Sequence, residues 1–383
     1  MTAAELLLEA VARHEEGHPA DAHALAARAL RASAGEDSRA VEALLLLGRT
    51  SIDLCAYDAA EEVLEQAVAL AELLAGEAAA TLRVLALADR AALARTLGRY
   101  EEAEERYRHA LAQAQPDSLD EATVANDLAV TLKFVGKLDE AERLYRRSLA
   151  IMERELEPDH PDLATLFHNL GGLAHARGDY AAAEPLARRS VELRRRALGN
   201  DHPAVAADAA ALAAVLDARG QDEEAETLLR EAIVVFEQAL GPEHYEVAFN
   251  VGQLAALLFR RGRLDEAEGL YRQGLLLLEK LLGTDHPDLA PPLNNLAFLL
   301  AERGKPRAAA ALYRRAIAIL ERCVEPDHPT LLACRENLAT LVPAAGRRPR
   351  REFTEYRAAD EGLPRRASCR PPSARRPAAC SEP

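Results

Sequence analysis

Apolar residues recur along this chain at three- and four-residue steps. Between Asp159 and Asn200, Leu163, Phe167, Leu170 and Ala174 fall on one face of a helix. Gly178 ends that helix, because the position after a helix favours a left-handed backbone that glycine adopts without strain. A second helix is predicted from Tyr180 through Arg196, and Asp201-His202-Pro203 then restarts the pattern. Aspartate is the expected N-cap there, with proline in the first turn. No stretch alternates with period two, so no strand is predicted.

This helix, turn, helix, cap unit returns every 42 residues. Asp-His-Pro stands at Asp159-His160-Pro161, Asp201-His202-Pro203, Asp285-His286-Pro287 and Asp327-His328-Pro329, with Glu243-His244-Tyr245 at the remaining beat. Gly136, Gly178, Gly220, Gly262, Gly304 and Gly346 keep the same spacing, and earlier turns align at Gly98, Cys55 and Gly17, 38 to 43 residues apart. Five residues after each turn comes a small side chain: Ala22, Ala60, Ala103, Ala141, Ala183, Ala225, Ala267 and Ala309. Small residues at a fixed place let two helix backbones approach, and a period of this length implies stacked supersecondary units. The five histidines of the repeat cannot share a metal. Ligand nitrogens sit about 2 Å from one ion, whereas neighbouring helices are roughly 8 to 10 Å apart. The imidazoles are expected to serve the loop instead, bonding the end of the preceding helix.

Composition strengthens the helical reading: alanine, leucine, glutamate and arginine dominate, aromatics make up 4% and tryptophan is absent. The fold class is all-α. Formal charge is −15, divided unevenly: residues 347 to 383 carry about +5 and the remainder about −20. An acidic array is a poor nucleic-acid binder. The opening MTAAELLLEAVARHEEG has neither a basic leader nor an apolar run that spans a bilayer, so no membrane association is expected and the cytoplasm is the expected location. Cys55, Cys323, Cys334, Cys369 and Cys380 show no metal-ligand spacing and read as reduced thiols.

One catalytic motif needs weighing. His14-Glu15-Glu16-Gly17-His18 fits H-E-x-x-H, which holds zinc only on one continuous helix. Gly17 is the turn of the first unit and Pro19 follows, so the two imidazoles do not share a face. Phosphate-binding loops, nucleophile elbows and paired metal cysteines are absent from the sequence. No enzyme, cofactor or metal is expected.

Leu170-Gly171 with Gly178, Tyr180, Ala183 and Ser190, and Leu296-Ala297 with Gly304, Ala309, Tyr313 and Ala316, resemble the tetratricopeptide repeat signature. The 42-residue period, the Asp-His-Pro link and the phrase NNLAFLLAERG from Asn294 to Gly304 are similar to the repeats of kinesin light chains and their bacterial relatives. No heptad coiled coil accompanies them, so only the cargo-binding half of that family is represented. The resemblance covers roughly residues 2–342. It implies a right-handed superhelical solenoid of about eight antiparallel helix pairs. Its first three units are irregular, residues 119–328 are regular, and a capping helix occupies 329–342. Residues 343–383, rich in arginine and proline, are expected to be disordered.

In such arrays the first helices line a concave groove. Carried over by resemblance, the groove residues are Asn126 and Asp127, His168 and Asn169, Ala210 and Ala211, Gly252 and Gln253, and Asn294 and Asn295, with Lys133, His175 and Arg260 adding positive charge for an acidic ligand. Asparagine suits the place because its amide both donates and accepts toward peptide backbone. The expected function is a protein-interaction scaffold that holds a protein or extended peptide, the alternative being a regulator whose array changes shape on binding peptide.

Overall fold

The caps and turns that divide the chain into helices differ from expectation in one instructive way. The computed structural model describes residues 1–341 except 35, 36, 325 and 327, so the arginine- and proline-rich tail and Gly346 lie outside the described residues. The N-cap in each Asp-His-Pro link is the histidine, not the aspartate. The Nδ1 atoms of His160, His202, His244, His286 and His328 each accept the backbone N–H two residues on, at 3.1 to 3.3 Å. The imidazole therefore caps the helix that follows, a role the spacing alone did not announce. An N–H of the first turn, which has no partner within its own helix, thus meets a side chain whose neutral ring has a lone pair to offer. Burial lowers the His244 pKa, which favours the neutral capping form.

The structure contains two units, residues 1–177 and 178–341. The first holds α1 (Ala3–Glu15), α2 (Pro19–Ala32), α3 (Asp37–Asp53), α4 (Tyr57–Leu73), α5 (Glu77–Thr96), α6 (Tyr100–Gln113), α7 (Leu119–Phe134), α8 (Leu138–Glu155) and α9 (Pro161–Ala176). The second holds α10 (Tyr180–Leu198), α11 (Pro203–Ala218), α12 (Asp222–Leu240), α13 (Tyr245–Arg260), α14 (Leu264–Leu282), α15 (Ala290–Glu302), α16 (Pro306–Leu320) and α17 (Pro329–Thr340), with a short 3-10 turn at Pro287–Leu289. The chain is all-α, with no strand among the described residues. Within each unit adjacent helices pack on one another, and the second helix of a pair packs on the first helix of the next.

Every alanine of the small-residue row, from Ala22 to Ala309, is 0% exposed. Four residues further on, wherever that position is aromatic, stand Tyr107, Tyr145, Tyr271 and Tyr313, all fully buried. A small side chain draws the helices together, and the large one a turn later fills the space beside the crossing. In the second unit the core joins Ala225, Ala267 and Ala309 to Leu212, Leu254 and Leu296 of the first helices.

A second register is electrostatic. Glu142, Glu184, Glu226 and Glu268, one period apart, each bind the arginine four residues on and the arginine just before the next turn glycine: Arg146 and Arg177, Arg188 and Arg219, Arg230 and Arg261, Arg272 and Arg303. Each glutamate thus ties a second helix to the following turn. Hydrogen bonds from Arg177 and Arg146 hold Glu142 below the usual carboxylate range. Burial opposes the same effect at Glu226, where Arg230 and Arg263 outweigh it.

The turns share one left-handed conformation, and Cys55 adopts it with φ 58° where its counterparts are glycines such as Gly98 at 74° and Gly136 at 78°. The helix-closing bond is preserved: Ala56 N–H reaches Ser51 O at 2.8 Å, as Lys137 N–H reaches Leu132 O at 2.9 Å. A side chain in this region costs roughly 1 to 2 kcal/mol, partly offset by the greater chain entropy glycine loses on folding. Cys55→Gly is therefore expected to stabilise the protein by about 1 kcal/mol, read as a higher midpoint in thermal or urea denaturation. An unchanged or lower midpoint would show that the turn is unstrained at Cys55.

Candidate functional site

Within the first unit α3 packs on α5, α5 on α7 and α7 on α9, while no second helix packs comparably on the next second helix. In the second unit the same holds for α13 on α15 and α15 on α17. First helices that touch in series, beside second helices that do not, lie on the inner side of each unit's curve. The face they present in each unit is the candidate site.

In the first unit, Asn126, Asp127, Lys133, His168, Asn169 and His175 are all half-buried. The Asn169 amide donates to Asn126 Oδ1 at 2.8 Å, and the Asn126 amide donates to Asp127 Oδ1 at 3.3 Å. Asn169 keeps its own carbonyl oxygen and one N–H hydrogen. The row continues back to Asp89, nine residues before Gly98 as Asp127 is nine before Gly136, where Arg49 Nε binds the carboxylate at 2.7 Å. Sequence reading passed over Asp89 and Arg49, although aligning α5 with α7 on their turn glycines would have marked Asp89.

Asp127 has no such ion pair. Burial pushes its carboxyl up to about 6, opposed by the positive charge of Arg95 and the Asn126 hydrogen bond and assisted by Asp89. Burial also raises Asp89, against Arg49. Within electrostatic reach of Asp127 is the wholly buried Tyr145, whose ionisation burial and the Asp127 charge both disfavour. Six residues along α7, the Lys133 ammonium sits over Gly172 of α9, where a methyl group in place of the glycine hydrogen would meet Nζ at 3.4 Å.

The second unit departs from expectation. Asn294 and Asn295 are 0% exposed. Asn294 Oδ1 accepts from Asn337 Nδ2 at 3.0 Å and from the Cys334 thiol at 3.6 Å, and its own amide reaches Asn295 Oδ1 at 3.3 Å. The bond to Asn337 spans 43 residues, as does that between Asn169 and Asn126. Arg260 was expected to contribute free positive charge, but its guanidinium is bound by Asp217 of the preceding first helix. Gln253, Ala210 and Ala211 are half-buried, and Gly252 is buried.

The H-E-x-x-H segment is divided as its glycine implies. His14 closes α1 and bonds Asp53 Oδ2 at 2.7 Å, and His18 stands beyond the left-handed Gly17 as the residue that opens α2. Among the described residues no three metal-ligating side chains gather.

The ionised form of Asp127 is disfavoured by folding, because its pKa is higher in the folded chain than in an unfolded one. It therefore costs stability at neutral pH. That cost fades as pH falls through about 6 and is gone below the unfolded carboxyl value near ~4. Asp127→Asn keeps the shape and removes the charge. At pH 7.5 it is expected to stabilise the fold by about 1 to 2 kcal/mol, allowing for solvent screening, with the gain vanishing near pH 4. A lower melting temperature at pH 7.5 would mean the carboxylate is well served where it lies.

Comparison with known proteins agrees with this architecture. A family model described as tetratricopeptide repeat matches residues 77–154, 120–196, 162–238, 207–273 and 245–322, and a second of the same description matches 41–72. Among solved structures, the apo form of the quorum sensor NprR from B. thuringiensis is similar with a TM-score of 0.60 at 16% identity, covering 83% of this chain and 87% of that one. A Rap protein complexed with Competence and Sporulation Factor gives 0.56 at 15% identity, covering 88% and 97%. BtubC (BKLC) from P. vanneervenii gives 0.48 at 23% identity, covering 58% and 89%. A search of curated proteins finds no matching sequence. With matched repeats running through most of its length and each described turn falling on the repeat register, the chain belongs to the tetratricopeptide repeat family.

Proposed function

We propose that this protein is a non-enzymatic scaffold, working in the cytoplasm, that holds an extended segment of a protein partner against the inner face of its first helices. The observation that carries the reading is the half-buried amide row of the first unit. Asn126 and Asn169 are linked side chain to side chain across neighbouring first helices, and Asn169 still has a donor and an acceptor to offer. Peptide backbone presents the same alternation of donors and acceptors. His168 and His175 lie on the same helix as Asn169 and add further polar reach. No described helix is long and apolar enough to cross a membrane.

A second reading is a peptide-responsive regulator. The solved structures of similar fold include a quorum sensor and a Rap protein complexed with a factor, and a curved stack of helix pairs changes pitch through small adjustments at each crossing. A ligand-dependent change in scattering radius favours this reading over a passive scaffold.

The test begins with partners captured on the full chain from its native cell and identified by mass spectrometry, then measured against variants. Asn169→Ala removes up to two hydrogen bonds to a ligand at about 0.5 to 1.5 kcal/mol each, so affinity should fall about 5- to 100-fold. Melting should barely change. Leu276→Ala alters a side chain that is 67% exposed on α14, a second helix, and should leave binding intact. Equal binding by the parent and the Asn169 variant, with loss in the Leu276 variant, would move the site to the outer face.

A further inference from the structure

On α7 the first unit carries two half-buried charges of opposite sign, Asp127 and Lys133, with no ion pair among the described residues. Other inner-face carboxylates are neutralised: Arg49 binds Asp89 and Arg260 binds Asp217. Among the described residues the Asp127 carboxylate receives only the neutral amide of Asn126, and the Lys133 ammonium has no ion-pair or hydrogen-bond partner. Leaving a half-buried charge without a partner costs stability that a chain seldom retains for packing alone. The rest of the array shows that this chain pairs such charges readily.

Gly172 is the second observation. It lies inside α9, not at a turn, and glycine there costs about 1 kcal/mol relative to alanine. Its counterparts six residues before the other described turn glycines are Val11, Ala92, Val130, Ala214, Ala256 and Phe298. At Gly172 the neighbouring helix brings the Lys133 ammonium to 3.4 Å from where a Cβ would stand, an ordinary contact distance that a larger side chain would close. The missing side chain keeps the space around Lys133 Nζ open.

Asp127 has a complementary wall. The hydroxyl of Tyr145 is buried and has no hydrogen-bond partner among the described residues, and the Asp127 charge is felt there. The burial that raises the Asp127 carboxyl lowers its hydration and so strengthens its attraction for a cation that reaches it. Arg95 of α5 acts on Asp127 at longer range but forms no ion pair with it, and Asp89 offsets part of that influence.

We infer that the inner face of the first unit selects a ligand bearing both a cationic and an anionic group, with the cation held at Asp127 and a carboxylate at Lys133. The two residues are six apart on α7, about 9 Å along the helix axis and about 120° around it. In an extended peptide, side chains two residues apart project on the same side roughly 7 Å from each other. Lysine or arginine on one side and glutamate or aspartate on the other close the remaining distance with their flexible stems. The ligand class is therefore an extended segment with a basic and an acidic side chain two residues apart, its backbone passing the Asn126 and Asn169 amides. This inference rests on the peptide-binding reading above and narrows it to a charge rule.

The probe is an array of synthetic ten-residue peptides of randomised sequence, incubated with the full chain, with Asp127→Asn and with Lys133→Gln. The parent should retain peptides enriched in a basic and an acidic residue two apart over peptides with two like charges or none, by about 10-fold. That factor corresponds to about 1.4 kcal/mol. Asp127→Asn should erase the requirement for the basic member and keep the acidic one, and Lys133→Gln should do the reverse. Gly172→Val should weaken the acidic requirement alone, and a melting curve for each variant confirms that the fold persists. Binding that is blind to charge, or variants that keep the parent's preference, would overturn the charge rule while leaving the peptide-binding reading in place. Retention of no peptide by the parent would overturn both.

Discussion

Two helix backbones can lie close together only where the side chain between them is small, and in this chain an alanine occupies that place in every unit from Ala22 to Ala309. Other features take their position from these crossings. The buried tyrosines and leucines a turn further on pack where the crossing leaves space, and the ion-paired glutamates of the regular repeats reach the following turn because the crossing sets the second helix at one angle. A row of first helices in mutual contact follows from repeating the same step, and with it an inner face whose side chains recur at fixed places. A functional surface is thus created by repetition and then individualised by the few residues that depart from it.

Much of this architecture was legible in the sequence because it is carried by residues with narrow requirements. The turn glycines, the alanine row and the apolar helical steps each admit few substitutes, so their spacing revealed the units, and even Cys55 was placed correctly by register before its left-handed backbone was seen. The cap was misassigned for a physical reason: aspartate is the commoner N-cap, and nothing in the letters shows that the neighbouring histidine turns its Nδ1 toward the helix. The glutamate to arginine ties were likewise hidden, since one partner lies 35 residues further along the chain.

The candidate site was legible only in part. Position along the first helices could be read from the repeat, which put Asn126, Asp127 and Lys133 on α7 and His168, Asn169 and His175 on α9, all half-buried. Whether a side chain at such a position is available depends on its neighbours, and those are set by departures from the repeat. Asn294 and Asn295 occupy equivalent places to Asn126 and Asp127, yet they are buried, with Asn294 bonded to Asn337 and Cys334. Arg260 sits at the end of its helix as expected, and Asp217 neutralises it. Asp127 acquires its raised pKa from burial that no local sequence pattern announces.

The account's central claim is that partners meet this protein on the face of its first helices. A photo-crosslinking amino acid placed at Val130, in the same row as Gly172, reports on that face, and one placed at Val234, an exposed position on α12, reports on the second helices. The account predicts that a partner captured from the native cell becomes covalently joined through position 130 and not through position 234. Joining through position 234 alone would contradict it.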